Sequence, residues 1–340
     1  MIEIDGSEGE GGGQIIRTAV ALSALTGKPV SVSNIRAKRN NPGLAAQHLA
    51  CIKGVQEICS GKVEGCFVGS KKISFFPGKV KGGKYSIDVG TAGSISLVLQ
   101  GVMLASLASG DRIECAITGG TNVAWSPPTD YIKNVMLPIL SKFGYRGELE
   151  IISRGFYPAG GGKVKFIYEP SKLLPTRLTE RGKLESIQGI ACVSNLPEEI
   201  SIRMKHAFLK EVPDAKIKSS KEASLSPGAF LCAWANFSNT VIGADSLGER
   251  GKPSEQVGKE AGEKLKLELS RNACVDSHMC DQIVPYLAYA GGEVKTGSLT
   301  SHAKANLEVT RLFFSGLDYR DGILFRTHSP VMSSSSSAFS

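Results

Sequence analysis

Tyr85-Ser-Ile-Asp-Val-Gly-Thr-Ala-Gly-Ser-Ile-Ser-Leu-Val-Leu-Gln-Gly-Val-Met-Leu-Ala-Ser-Leu107 is the stretch whose reading decides the fold. Its first four residues alternate like a half-buried strand, Gly90 to Gly93 form a glycine loop, and 94–107 is an apolar helix. The same succession opens the chain, with a strand over 2–5, a glycine-rich loop over 6–13 and a helix over 14–25. The landmarks recur at an offset of about 80 to 85 residues. Ile4-Asp5 answers Ile87-Asp88, Asn41-Pro42 answers Ser126-Pro127, and Phe75-Phe-Pro-Gly78 answers Phe156-Tyr-Pro-Ala-Gly160. The chain is a repeat.

Working outward, the first copy continues with a strand over 30–35, a turn at Asn41-Pro42-Gly43, a helix over 44–59 and strands over 62–68 and 72–76. The second has a strand over 112–117, a helix over 131–143 and a strand over 148–153. A displaced third copy shows a helix over 279–290, a strand over 293–299, a helix over 302–314 and a strand over 322–325. Between Leu184 and Asn272 the rhythm is lost. That stretch holds strands near 187–193 and 228–235 and an amphipathic helix over 254–269, which suits an inserted domain. The expected architecture is therefore α+β: three tandem βαβαββ modules over 1–183 and 273–328, with a smaller α+β domain at 184–272 inserted in the third. Residues 329–340, with the serine run 333–337, read as a disordered tail.

Composition narrows the class. At 340 residues with ordinary apolar and charged content, the chain can bury a sizeable core. A net charge of +8 favours an anionic partner such as nucleotide or nucleic acid. Met-Ile-Glu-Ile-Asp lacks the pattern of a leader, and no apolar run is long enough for a membrane span, so a cytoplasmic protein is expected. Cysteines at 51, 59, 66, 115, 192, 232, 274 and 280 show neither C-x-x-C nor zinc spacing. They read as buried thiols, with disulfides left open for a hyperthermophile source.

Three stretches carry candidate chemistry. Gly9-Glu-Gly-Gly-Gly13 joins a strand to a helix, where backbone N–H groups and the helix start favour a bound anion. It matches neither the P-loop nor the G-x-G-x-x-G spacing. Arg36-Ala-Lys-Arg39 follows the next strand, with Gln47 and His48 in the helix beyond, and suits phosphate. In Gly297-Ser-Leu-Thr-Ser-His-Ala-Lys-Ala-Asn-Leu-Glu-Val-Thr-Arg-Leu-Phe-Phe314, Thr300 and Ser301 are N-cap candidates, so His302 is expected in the first helical turn. The positive end of a helix disfavours a second positive charge and keeps that imidazole a neutral nucleophile or ligand.

Over residues 1 to about 328 the chain resembles the RNA 3′-terminal phosphate cyclases. The resemblance rests on Glu8-Gly-Glu-Gly-Gly-Gly-Gln-Ile-Ile-Arg17, Arg36-Ala-Lys-Arg39 with Pro42-Gly43, Gly93-Ser94 with Leu99-Gln100, and Arg154-Gly-Phe-Tyr-Pro-Ala-Gly-Gly-Gly162. His278-Met-Cys-Asp-Gln282 and Ser301-His302 complete it. It implies three modules like the C-terminal domain of a translation initiation factor. It also implies an ATP-dependent enzyme in which His302 takes AMP from ATP and passes it to an RNA 3′-phosphate, which the vicinal 2′-OH then closes into a 2′,3′-cyclic phosphate.

By the same resemblance Gln100, His278, Met279, Cys280, Asp281, Gln282 and Arg17 would bind the nucleotide. Arg36, Arg39 and Gln47 would meet RNA phosphate, and Glu10 would approach a divalent cation, Mg²⁺ or Mn²⁺. Position 278 is tyrosine in some relatives and histidine here. Two other readings are a non-catalytic relative, disfavoured by His302, and an adenylyltransferase acting on DNA 3′-phosphates or 5′-phosphate ends. The oligomeric state stays open, a dimer included.

Overall fold

In the computed structural model, residues 1–9 and 12–327 are described; Glu10 and the expected tail lie outside them. The chain opens with β1 (Ile2–Asp5), α1 (Gly13–Thr26), β2 (Val30–Ser33), α2 (Ala46–Ile58), β3 (Lys62–Glu64) and β4 (Ile73–Phe76). It continues with β5 (Gly83–Asp88), α3 (Ile95–Ser106), β6 (Ile113–Gly119), α4 (Thr129–Tyr131), a π-helical stretch Ile132–Met136, α5 (Leu137–Lys142), β7 (Arg146–Ser153) and β8 (Gly162–Glu169). The first sheet runs β1-β2-β4-β3 and the second β5-β6-β8-β7, each with one parallel pair followed by two antiparallel ones.

A short strand that hydrophobic pattern does not reveal, β9 (Thr176–Leu178), comes next. Then follow β10 (Leu184–Ser194), α6 (Glu199–Glu211), β11 (Lys216–Lys221), β12 (Gly228–Phe237), β13 (Val241–Leu247) and α7 (Ser254–Ser270). The chain closes with α8 (Ser277–Ala290), β14 (Gly292–Lys295), α9 (Ser301–Arg311), β15 (Leu317–Arg320) and β16 (Ile323–Arg326). β9 pairs in parallel with β14, and β14 and β15 pair antiparallel with β16, so this sheet repeats the pairing of the first two. The partner of β14 is thus supplied from before the whole of β10 to α7.

Side-chain alternation along β10 and β12 explains how that intervening unit attaches. Ala191, Val193, Leu231 and Ala233 face a core shared with Met204 and Phe208 of α6 and Val257 and Leu265 of α7. The alternate residues Cys192, Phe230 and Cys232 join the main core instead. One face of this sheet is covered by its own helices and the other lies against the rest of the molecule.

Two strand expectations need correction. The strand expected over 62–68 stops at Glu64, because Gly65 turns the chain with φ +73°. The strand expected over 293–299 stops at Lys295. Beyond it the N–H groups of Thr296 and Gly297 both donate to the Gly322 carbonyl and Gly297 takes φ +65°, which ends the ladder. All eight cysteines are free thiols, seven of them buried. Among the described residues no helix is long and apolar enough to cross a membrane.

Candidate active site at converging helix starts

Four helices begin in one place. Thr300 caps α9, its Oγ1 accepting from the Ala303 N–H at 3.0 Å, and the chain then presents His302 exposed in the first turn. Gly12 precedes α1 and lies between two of the expected site residues: a Cβ there would stand 3.5 Å from Arg39 Nη2 and 3.9 Å from His302 Cε1. A Cβ on Gly13 would land inside the ring of His48, in the first turn of α2. Gln47 Oε1 accepts from the Ser94 N–H at 3.2 Å, tying α2 to the cap of α3. The glycines are what let these ends close up.

Cations gather around the loop. Arg36 donates to the Gly43 carbonyl at 2.8 Å, and Lys38 reaches the Gly9 carbonyl at 3.2 Å. Arg17 is buried on α1, and among the described residues its Nε has no hydrogen-bond partner. Burial pulls its pKa down, with Cys51 and Asp281 working against that. A guanidinium buried with an unsatisfied donor suits an anion at this site.

Between α1, α3, α8 and α9 lies a cavity of about 20 Å³ lined by Gln14, Arg17, Gln100, Gln282, Tyr286 and Asn306, among others. That volume holds a water and not a nucleotide, so these side chains form a floor. Asp281 accepts from Gln14 at 2.8 Å and Gln282 at 3.0 Å, and its backbone carbonyl accepts from Asn306 at 2.8 Å. Asn306 Oδ1 in turn accepts from Thr18 at 2.8 Å. Burial raises the Asp281 pKa, and the nearby His278 and His302 oppose the shift.

The remaining expected residues differ in exposure. His278 is half exposed, 3.8 Å from Asp245 Oδ1 and edge-on to Tyr131 at 5.7 Å between centroids. Met279 and Cys280 are core residues, and burial pushes the Cys280 thiol up to about 12. Glu10 lies outside the described residues, and among those described no group of three or more His, Cys, Asp or Glu side chains could hold a metal.

Sequence reasoning gave no site role to Gln14, Thr18 or Asn306, and named His48 only beside the basic cluster suited to phosphate. A signal existed: Gln14, Arg17 and Thr18 share a helix face, and Asn306 stands one turn beyond His302. His48 accepts from the Ala45 N–H through Nδ1 at 3.0 Å. Its pKa is pushed down to about 3 by burial first, then by Arg17 and Arg36. An unfolded histidine titrates near about 6.5. The stability contributed by neutral His48 is therefore full above about 6.5 and is lost as pH falls toward about 3. His48→Gln should flatten the acid-side stability slope by up to one proton, about 1.4 kcal/mol per pH unit. Urea unfolding of both proteins between about pH 7 and about pH 4 checks this; equal slopes would remove His48 from the account.

Comparisons with known proteins point to one family. The family model for RNA 3′-terminal phosphate cyclase matches residues 8–316. A Pyrococcus furiosus protein named RNA 3′-terminal phosphate cyclase is 44% identical over 319 residues, covering 92% of this chain and 93% of its own length. Proteins of the same name from Methanopyrus kandleri and Caldivirga maquilingensis are each 46% identical, covering 92% and 93% of this chain and 93% of their own lengths.

Proposed function

The chain belongs to the RNA 3′-terminal phosphate cyclase family, and from that premise we propose that it converts an RNA 3′-phosphate to a 2′,3′-cyclic phosphate at the expense of ATP. A ring nitrogen of His302 attacks the α-phosphorus of ATP; the bond to the bridging oxygen breaks and pyrophosphate leaves. An oxygen of the RNA 3′-phosphate then attacks the same phosphorus, and the N–P bond breaks. The neighbouring 2′-OH attacks the activated 3′-phosphorus, loses its proton, and expels AMP. His302 is regenerated.

The observation that carries this reading is His302 standing across Gly12 from Arg39, with Arg17 buried on the helix that Gly12 precedes and holding an unsatisfied donor. An exposed nucleophile, a helix start and guanidinium donors are what transfer of an adenylyl group requires. In this reading Arg17, Gln100, His278, Asp281 and Gln282 serve the nucleotide, Met279 and Cys280 act through their backbone, and Arg36, Arg39 and Gln47 meet the RNA. A divalent cation would take the hard carboxylate of Glu10 and triphosphate oxygens as ligands and would neutralise charge there.

The same reading takes the chain as three βαβαββ modules, supported by the shared pairing of the three sheets, with 184–272 as an insert supported by its separate core. The test is conversion of an end-labelled RNA 3′-phosphate to a phosphatase-resistant end. It should require ATP and divalent cation. A DNA 3′-phosphate or a 5′-phosphate end that reacts instead would favour the broader adenylyltransferase.

A further inference from the structure

Away from His302, a wedge of about 450 Å³ opens between the sheet of β10 to β13 and the segment carrying the π-helical turn and β7. Its shape follows from where the sheet is held. Gly243 of β13 packs so tightly on Tyr131 and Val135 that a Cβ there would meet the Tyr131 ring at 2.8 Å. The sheet is pinned along β13, and the wedge opens towards its opposite edge, β11. Lys216, Gln188 and Trp234 lie on one rung across β11, β10 and β12, and Lys218 lies on the rung of Ile190.

All five of these residues line the wedge, with Lys133 and Asn134 brought in by the π-helical turn. Such turns concentrate at functional sites. The lining holds two carboxylates, Asp130 and Glu222. Both are engaged by Arg154: Nη1 donates to Asp130 Oδ2 at 2.5 Å, and Nε donates to Glu222 Oε2 at 2.8 Å. Lys133, Lys216 and Lys218, all exposed, are thus left facing the wedge with no lining carboxylate of their own.

We infer that this wedge binds a nucleotide unit, its phosphate on Lys133, Lys216 and Lys218 and its base against Trp234. Three ammonium groups beside an aromatic ring and amide side chains are the groups that hold single-stranded nucleic acid. The volume suits about one nucleotide. Two sources share this chemistry, a residue of an RNA chain and a free mononucleotide. The choice of ribonucleotide rests on the cyclase reading; the wedge and its charge do not.

The chain contains two tryptophans, and the other, Trp125, is 99% exposed. In a Trp125→Phe protein, emission therefore reports Trp234 alone. An oligouridylate RNA ending in a 3′-OH, which offers no 3′-phosphate to activate, should quench that emission saturably. Lys216→Gln/Lys218→Gln should weaken the binding about tenfold and flatten its salt dependence by roughly 0.7 unit per lost contact, with the thermal midpoint unchanged.

Uridine 5′-monophosphate is the second arm. Saturable quenching by it at similar strength assigns the site to free nucleotide, and quenching by the oligomer alone assigns it to RNA. No saturable quenching by either, or equal binding by the lysine variant, overturns the inference. Self-adenylylation of the unsubstituted protein needs no RNA and reads the cyclase proposal separately.

Discussion

His302→Ala should abolish the covalent label that the protein acquires from α-labelled ATP, a fall of at least about 10³-fold. The side chain is exposed at the start of α9, and Thr300, not His302, caps that helix, so the substitution opens no cavity and removes no cap. Folding should survive. The label on the unsubstituted protein should be acid-labile and alkali-stable, as a phosphoramidate is. Labelling of the variant at the normal rate would end the assignment of the nucleophile, whatever happened to cyclisation.

Arg154→Met should cost about 3–5 kcal/mol of stability, the largest structural effect expected of any single change here. Arg154 and Asp130 have side chains 4% and 6% exposed, joined by two hydrogen bonds of 2.5 Å and 3.1 Å. Burial alone would lower the arginine pKa, but Asp130 and Glu222 outweigh it and hold the charge in place. Removing the guanidinium leaves Asp130 charged and covered, whereas Glu222 can turn to solvent. Asp130→Leu/Arg154→Met should recover most of the loss, because no uncompensated charge then remains. Denaturant unfolding of the two variants checks this. A double variant as unstable as the single would mean that packing, such as Arg154 over the Phe230 ring at 5.1 Å, carries the effect.

Much of the scaffold could be read from residues because repeats and caps are local. The glycine loop, the Thr300 cap and the helix after it follow from neighbours in the chain. β9 could not be read: three residues paired with a strand beyond the insert carry no periodicity of their own. The site divides in the same way. His302, Arg17 and Arg39 sit in recognisable motifs, and the fold brings His302 and Arg39 to Gly12.

The floor of Gln14, Thr18, Asp281 and Asn306 is assembled from residues more than 260 positions apart, and only the tertiary packing of α1 on α8 and α9 gives it meaning. Met279 and Cys280 belong to a recognisable motif, yet their side chains face the core. Motif membership does not say which way a side chain points. Arg154 opens one of the blocks that carry the resemblance, and its ion pair with Asp130 emerged only with the fold.

The central claim is that AMP passes through His302 on its way to RNA, and a pulse–chase tests it most directly. Protein labelled with α-labelled ATP, then freed of unreacted ATP, is mixed with an RNA ending in a 3′-phosphate. The account predicts that the label leaves the protein as AMP while an equivalent amount of RNA gains a 2′,3′-cyclic end, all without further ATP. A label that stays on the protein while the RNA remains open, or RNA that closes only when fresh ATP is supplied, would contradict it.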